Sequence, residues 1–290
     1  MTSQDLRISY EVFPARDADA TGALDDLMTS MGEHGASLVS VTFGAGGSSS
    51  ARSLDTVRRA AKIARCRVAA HLTCVGQTRS EVLTTAERLL DSGATDLVLL
   101  RGDPPGGIDA PYRPHPRGFV TTAEFVRAIR EVVDRRPLEV SIAVSGYPEI
   151  HPSSPSLGHD LDLLAAKESA GADSFTTQMC FDADAILRYR DAIERRGITM
   201  EMSIGVMPLV PADRIAQMAR KCGARIPQRL LDEFSVDAPT PEESASRIAV
   251  EFVERLRREG MDRFHLYTLN RRHPCESIIS RLRQPAAALA

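Results

Sequence analysis

The sequence predicts one α/β domain spanning residues 1–290, a single (β/α)8 or TIM barrel, on three observations. Short apolar runs alternate with longer helix-periodic segments from end to end. The strand–helix units number eight, and no linker or low-complexity stretch cuts the chain in two. Its 290 residues, 43% of them hydrophobic, suit one large barrel core. An open doubly wound sheet is the alternative, and the unit count favours the barrel.

In chain order the expected strands are Arg7–Phe13, Leu38–Phe43, Arg67–Leu72, Asp96–Leu100, Glu139–Val144, Ser174–Gln178, Met200–Met207 and Arg263–Thr268. Several are β-branched and read as buried on both faces, without polar alternation. The expected helices are Ala20–Gly32, Ala51–Ala64, Arg79–Leu90, Ala123–Val133, Leu161–Ser169, Ala183–Arg195, Ala212–Arg220 and Glu276–Leu282. Val82, Ala86, Leu89 and Leu90 have the spacing of one buried helical face. Ser80 and Asp182 are N-cap candidates, and Gly35, Gly93, Gly171 and Gly197 sit where helices end before a strand. An extra helix at about 241–258 precedes the last strand as an insertion. The Pro- and Gly-rich loop Asp103–Gly118 follows a strand, where active-site covers are found.

Composition excludes several functions. A formal net charge of −3 gives no basic face for nucleic acid. No apolar run approaches the roughly 20 residues of a membrane span, and the polar N-terminus shows no secretory signal. Five scattered cysteines without a C-x-x-C pair indicate neither a disulfide framework nor zinc, and fit reduced thiols in a cytoplasmic protein. With no H-E-x-x-H and no clustered His/Asp set, no metal site is expected.

Chemistry in such a barrel belongs at the C-terminal strand ends. Glu11 interrupts the apolar run Ile8 to Phe13, where a charge is costly without a partner or a function. It is either paired, for example with Arg101, or a desolvated general acid. Asp103 is either a turn residue before Pro104 or a second carboxylate facing the same cavity. His71 reads as core residue, ligand or catalyst, His265 as buried, and His151 as ligand contact or solvent-facing. The Gly44–Ser50 loop reads as an anion cradle or a flexible active-site loop, and it matches no nucleotide fingerprint.

Seven segments, in order, resemble the methylenetetrahydrofolate reductase family: Ser9–Pro14, Val39–Ala45, His71–Cys74, Leu100–Pro105, Gly146–Pro152, Thr177–Asp182 and Phe264–Arg271. The resemblance covers nearly the whole chain and implies a barrel. It implies reduction of 5,10-methylenetetrahydrofolate to 5-methyltetrahydrofolate by hydride from NADH or NADPH. Glu11 matches the family's general acid, which protonates N10 of the folate. Asp103 matches the carboxylate that holds the pterin and favours the cationic intermediate, and Gln178 a residue that hydrogen-bonds the folate. These small molecules are then the partners.

The resemblance also implies FAD. Thr42, His71, Leu100, Arg101, Gly102, Tyr147, His151, Asp160 and Lys167 match family FAD-contacting positions, and Lys167 stands out in a chain whose only lysines are Lys62, Lys167 and Lys221. Yet Leu163 and Ala166 stand where the family often has Asn and Arg, and Ala212 where it has an aromatic. Two routes are therefore open: hydride through FAD, or directly from the nicotinamide. A folate-binding accessory subunit is the non-catalytic alternative. A barrel lyase or aldolase is disfavoured because no lysine lies at an expected strand end.

Overall fold

The computed structural model describes residues 6–43, 47–104, 112–234 and 240–284. Its strands are β1 (Arg7–Val12), β2 (Leu38–Val41), β3 (Arg67–Thr73), β4 (Asp96–Leu100), β5 (Ser141–Gly146), β6 (Ser174–Thr177), β7 (Glu201–Val206) and β8 (Arg263–Tyr267). They pair in parallel in sequence order, and β8 closes on β1 with Ile8 opposite Phe264 and Glu11 opposite Tyr267. The fold is thus a closed (β/α)8 barrel.

Around it lie α1 (Ala18–Glu33), α2 (Gly47–Ile63), α3 (Arg79–Asp91), α4 (Thr122–Val133), α5 (Leu157–Ser169), α6 (Ala183–Arg195), α7 (Ala212–Lys221), α8 (Gln228–Phe234), α9 (Pro241–Arg258) and α10 (Arg272–Arg283). α5 begins at Leu157, capped by Ser156, so Asp160 and Lys167 share one helix from its first turn to its last. α6 is capped by Asp182 as expected, but α3 starts from Thr78, not Ser80. Thr78 forms a reciprocal capping box with Glu81, which satisfies two orphan N–H groups where Ser80 would satisfy one. The short helix α8 was not anticipated. Gly44–Gly46 and residues 105–111 lie outside the described residues, and with them much of the proposed anion loop and of the Asp103–Gly118 loop.

The core lies between the strands and the helices. Ile8, Tyr10 and Val12 of β1, Ile142 and Val144 of β5 and Phe175 of β6 are fully buried there. The Tyr10 hydroxyl donates to Met28 O of α1 at 3.1 Å. Burying side chains of this size stabilises by about 1.5–3 kcal/mol each.

One expectation needs correction. β1, β5 and β6 do alternate, and their axial faces are small and polar. Ser9 and Glu11, then Ser141, Ala143 and Ser145, then Ser174 and Thr176 remain partly accessible, while their neighbours facing the helices are buried. The alternation is hard to see because Ser, Ala and Thr are close to neutral in hydropathy. A barrel filled by bulky branched layers would have no accessible axis. This one does.

Gly205 of β7 has a specific use. A Cβ there would lie 2.5 Å from Thr177 O and 2.6 Å from Tyr267 Cε2. The bare backbone lets the Tyr267 ring cross β7 and donate from its hydroxyl to Thr177 O at 2.8 Å. Gly205→Ala is expected to push Tyr267 aside and destabilise the fold by about 1–3 kcal/mol. Thermal unfolding measures this, and an unchanged midpoint would show that the ring is free to move.

Candidate active site

A cavity of about 1170 Å³ occupies the barrel axis and opens at the C-terminal strand ends. All twelve residues singled out from the sequence line it: Glu11, Thr42, His71, Leu100, Arg101, Gly102, Asp103, Tyr147, His151, Asp160, Lys167 and Gln178. They come from β1, β3, β4, from the loops after β2, β4, β5 and β6, and from α5.

Glu11 is held by the β8–β1 seam. The Thr268 hydroxyl donates to Glu11 O at 2.6 Å and accepts from Asn270 N–H at 3.0 Å. The Asn270 amide grips Phe13 both ways, accepting from its N–H and donating to its carbonyl, each at 2.8 Å. The Glu11 side chain is only 14% exposed and lies 3.6 Å from Nε2 of His71, itself 9% exposed. No ion pair with Arg101 forms, because the Arg101 guanidinium stacks 4.7 Å above the Tyr112 ring. Burial pushes the Glu11 carboxyl up from 4.5 to about 8 and His71 down from 6.5 to about 4. Both are therefore uncharged near neutrality, and Glu11 carries a proton.

Asp103 sits differently. After β4 the chain turns at Gly102, whose φ of +85° favours glycine. A Cβ there would also lie 2.7 Å from Val75 Cγ1. The preceding carbonyl, Arg101 O, accepts from Val75 N–H at 2.9 Å. Asp103 is exposed on this turn. Glu11 and Asp103 thus face one cavity from β1 and from the loop after β4, one largely buried and one exposed.

The remaining residues form the wall beyond β5 and β6. Gln178 N–H donates to Gly146 O at 2.8 Å, and its side-chain Oε1 accepts from Met179 N–H at 2.9 Å. That leaves the amide NH2 for a ligand. Asp160 accepts from His151 N–H at 2.8 Å, and the His151 ring meets Tyr147 edge-on at 4.7 Å. Lys167 donates to Ser145 O at 3.0 Å, and its burial lowers the ammonium to about 8. It reaches this place from a helix, not from a strand end. Leu163 and Ala166 also line the cavity, and Leu163 is 46% exposed there. Ala212 opens α7 and does not line it.

Sequence reasoning read His265 only as buried and did not single out Tyr267. His265 accepts or donates at Nδ1 to Ser9 Oγ, 2.7 Å away, and Tyr267 lies beside Glu11, whose charge would raise its hydroxyl further. The signal available was the alternation of His265 and Tyr267 with the apolar Phe264 and Leu266. Among the described residues no group of three His, Cys, Asp or Glu side chains converges as a metal site, and no helix is long and apolar enough to cross a membrane.

The raised value for Glu11 has a sign that can be tested. The folded state keeps this proton through a range where the unfolded chain has lost it. Its contribution to stability is full below about 4.5 and is lost as pH rises through about 8. A carboxyl-stretch titration by difference infrared spectroscopy, with Glu11→Gln as the blank, is expected to show a midpoint near 8. A midpoint near 4.5 would mean a solvated carboxylate.

A sequence profile described as methylenetetrahydrofolate reductase matches residues 1–283. The 5,10-methylenetetrahydrofolate reductases of Salmonella typhimurium and Escherichia coli are each 32% identical over 269 residues, covering 92% of this chain and 87% of theirs. Methylenetetrahydrofolate reductase (NADH) 1 of Zea mays is 28% identical, over 90% of this chain and 46% of its own. Among solved structures, a Clostridium thermocellum protein described as binding two copies of 5-methyl-5,6,7,8-tetrahydrofolic acid superposes with a TM-score of 0.58. It covers 96% of this chain and 93% of its own at 13% identity, a likeness that concerns the fold alone.

Proposed function

The chain belongs to the methylenetetrahydrofolate reductase family and reduces 5,10-methylenetetrahydrofolate to 5-methyltetrahydrofolate with hydride from NADH or NADPH, and we propose that Glu11 is its acid, that Asp103 steadies the cation, and that the hydride passes without a flavin. The observation that carries the residue roles is the contrast across one cavity between a buried, protonated Glu11 and a solvent-facing Asp103.

In this reading the bond from the methylene carbon to N10 breaks as N10 takes the Glu11 proton. The methylene carbon becomes a 5-iminium cation, and the nicotinamide hydride converts it to methyl. Methylenetetrahydrofolate, NADH and one proton become methyltetrahydrofolate and NAD+. A carboxylate at Asp103 lowers the energy of the cation, and the free amide hydrogens of Gln178 suit a pterin oxygen or ring nitrogen.

The α5 wall fits a resident flavin poorly. Leu163 and Ala166 present hydrocarbon where Asn and Arg would meet the cofactor, and Lys167 is occupied at Ser145 O. Losing an Arg–pyrophosphate contact removes about 1.5–3 kcal/mol, one to two orders of magnitude in affinity. A resident cofactor does not tolerate that loss well, whereas a dinucleotide that leaves on every turnover does. Arg101 and His151 remain at the mouth to meet its phosphates. The thiols, all free, accord with a cytoplasmic setting.

Purified protein is expected to lack a near-stoichiometric flavin absorption band yet to oxidise NADH when methylenetetrahydrofolate is added. A stoichiometric band would overturn the flavin-free route, and absence of folate-dependent oxidation would favour an accessory role. Glu11→Gln is expected to abolish methyltetrahydrofolate formation with the fold intact by circular dichroism, and near-normal turnover would refute the acid role. Asp103→Asn should lower kcat by about 10²-fold or more; an unchanged rate would reduce Asp103 to a turn residue.

A further inference from the structure

The cavity does not end at the catalytic carboxyl. Its lining continues past Glu11 and His71 along the barrel axis to Arg7, Arg67, Asp96, Glu201 and Arg263 at the opposite mouth. There Arg67 holds Asp96 through two hydrogen bonds, at 3.0 and 2.7 Å, and Arg263 pairs with Glu201. Arg7 and Arg67 are exposed at this mouth. Between the two ends the axis is lined by side chains that stay partly accessible, the small Ser9, Ala143, Thr176 and Ser203 together with Leu38 and Val98. Two hydroxyls on the same lining, Ser40 Oγ and Thr73 Oγ1, are buried without any hydrogen-bond partner in the protein. Buried hydroxyls are almost always satisfied, and beside a cavity of this size the available partner is ordered water.

We propose that this axis is a water-filled proton path that recharges Glu11 from the N-terminal face of the barrel. The proposal rests on Glu11 being the acid. Each turnover leaves Glu11 as a carboxylate, while folate and nucleotide cover the C-terminal mouth. The path returns one proton from bulk water to Oε2, and nothing is oxidised or reduced. The groups facing Glu11 are His71 from β3 and Tyr267 from β8, with His265 bonded to Ser9 one step further down. His71 and His265 lie close enough for the charge of one to lower the other, and burial holds them at about 4 and about 3. Neutral at pH 7, they relay a proton without storing it. Ser9 and His265 are thus positioning residues that act through Glu11.

The test blocks the axis in mid-strand, away from the substrate mouth, with Ala143→Val plus Ser203→Val in the full chain. Steady-state turnover with NADH and methylenetetrahydrofolate is expected to fall about 10-fold, with a larger solvent deuterium isotope effect than in wild type. The single-turnover hydride rate, which uses the proton already on Glu11, should stay within about two-fold, as expected when only proton return is slowed. Unchanged steady-state turnover and isotope effect would overturn the path, and so would an equal loss in single turnover, which would mean a distorted site. Should the double variant not fold, His265→Asn is read by the same three measurements. Failure of the path leaves Glu11→Gln inactive, so the two readings fail separately.

Discussion

Keeping one largely buried carboxylic acid protonated without a counter-charge is the constraint around which this barrel is organised. A carboxylate at Glu11 would need a cation or several donors, and the surroundings supply neither: His71 is neutral, and Arg101 is held against Tyr112. Burial therefore favours the protonated form, with the carboxyl pushed up from 4.5 to about 8. The β8–β1 seam places it, the Thr268 and Asn270 bonds fix its backbone, and Gly205 lets Tyr267 lie across β7 beside it. Asp103, exposed on its turn after β4, faces the same cavity and completes the contrast.

The second constraint follows from the first. A barrel packed with large side chains would keep Glu11 dry but would also isolate it from any proton source. Here most of the hydrocarbon sits outside the strands, against the helices, and the axial face of β1, β5 and β6 carries serine, alanine and threonine, with Glu11 among them. Stability comes from the outer layer, so the inner one is free for chemistry. At the far mouth the barrel floor is bordered by paired arginines and acids rather than by a hydrophobic plug.

Much of this was legible in the chain because it rests on local signals. Glu11 stood out as a charge inside Ile8–Phe13, and the strands were found by their apolar outer residues. The glycines before β2, β4, β6 and β7 all take positive φ, as C-capping residues do. What escaped notice depends on tertiary placement. Ser9, Thr176 and Ser203 look unremarkable in sequence, and only closure of the barrel turns them toward one axis. Arg101 was one partner the sequence offered for Glu11, against a desolvated acid without one, and the fold turns that arginine onto an aromatic ring. Thr78 outranked Ser80 as a cap because Glu81 sits where it can reciprocate.

The seam that positions the acid joins residues 257 apart in sequence. During synthesis Glu11 emerges long before the groups that fix it, which arrive only with β8 and the turn after it. Such distant pairings are slow to form and are made late in folding. An incomplete chain can bind no substrate productively, because the acid has no fixed place until the ring of strands shuts. Catalytic competence in this architecture is therefore a report on completed folding, acquired in one step rather than accumulated strand by strand.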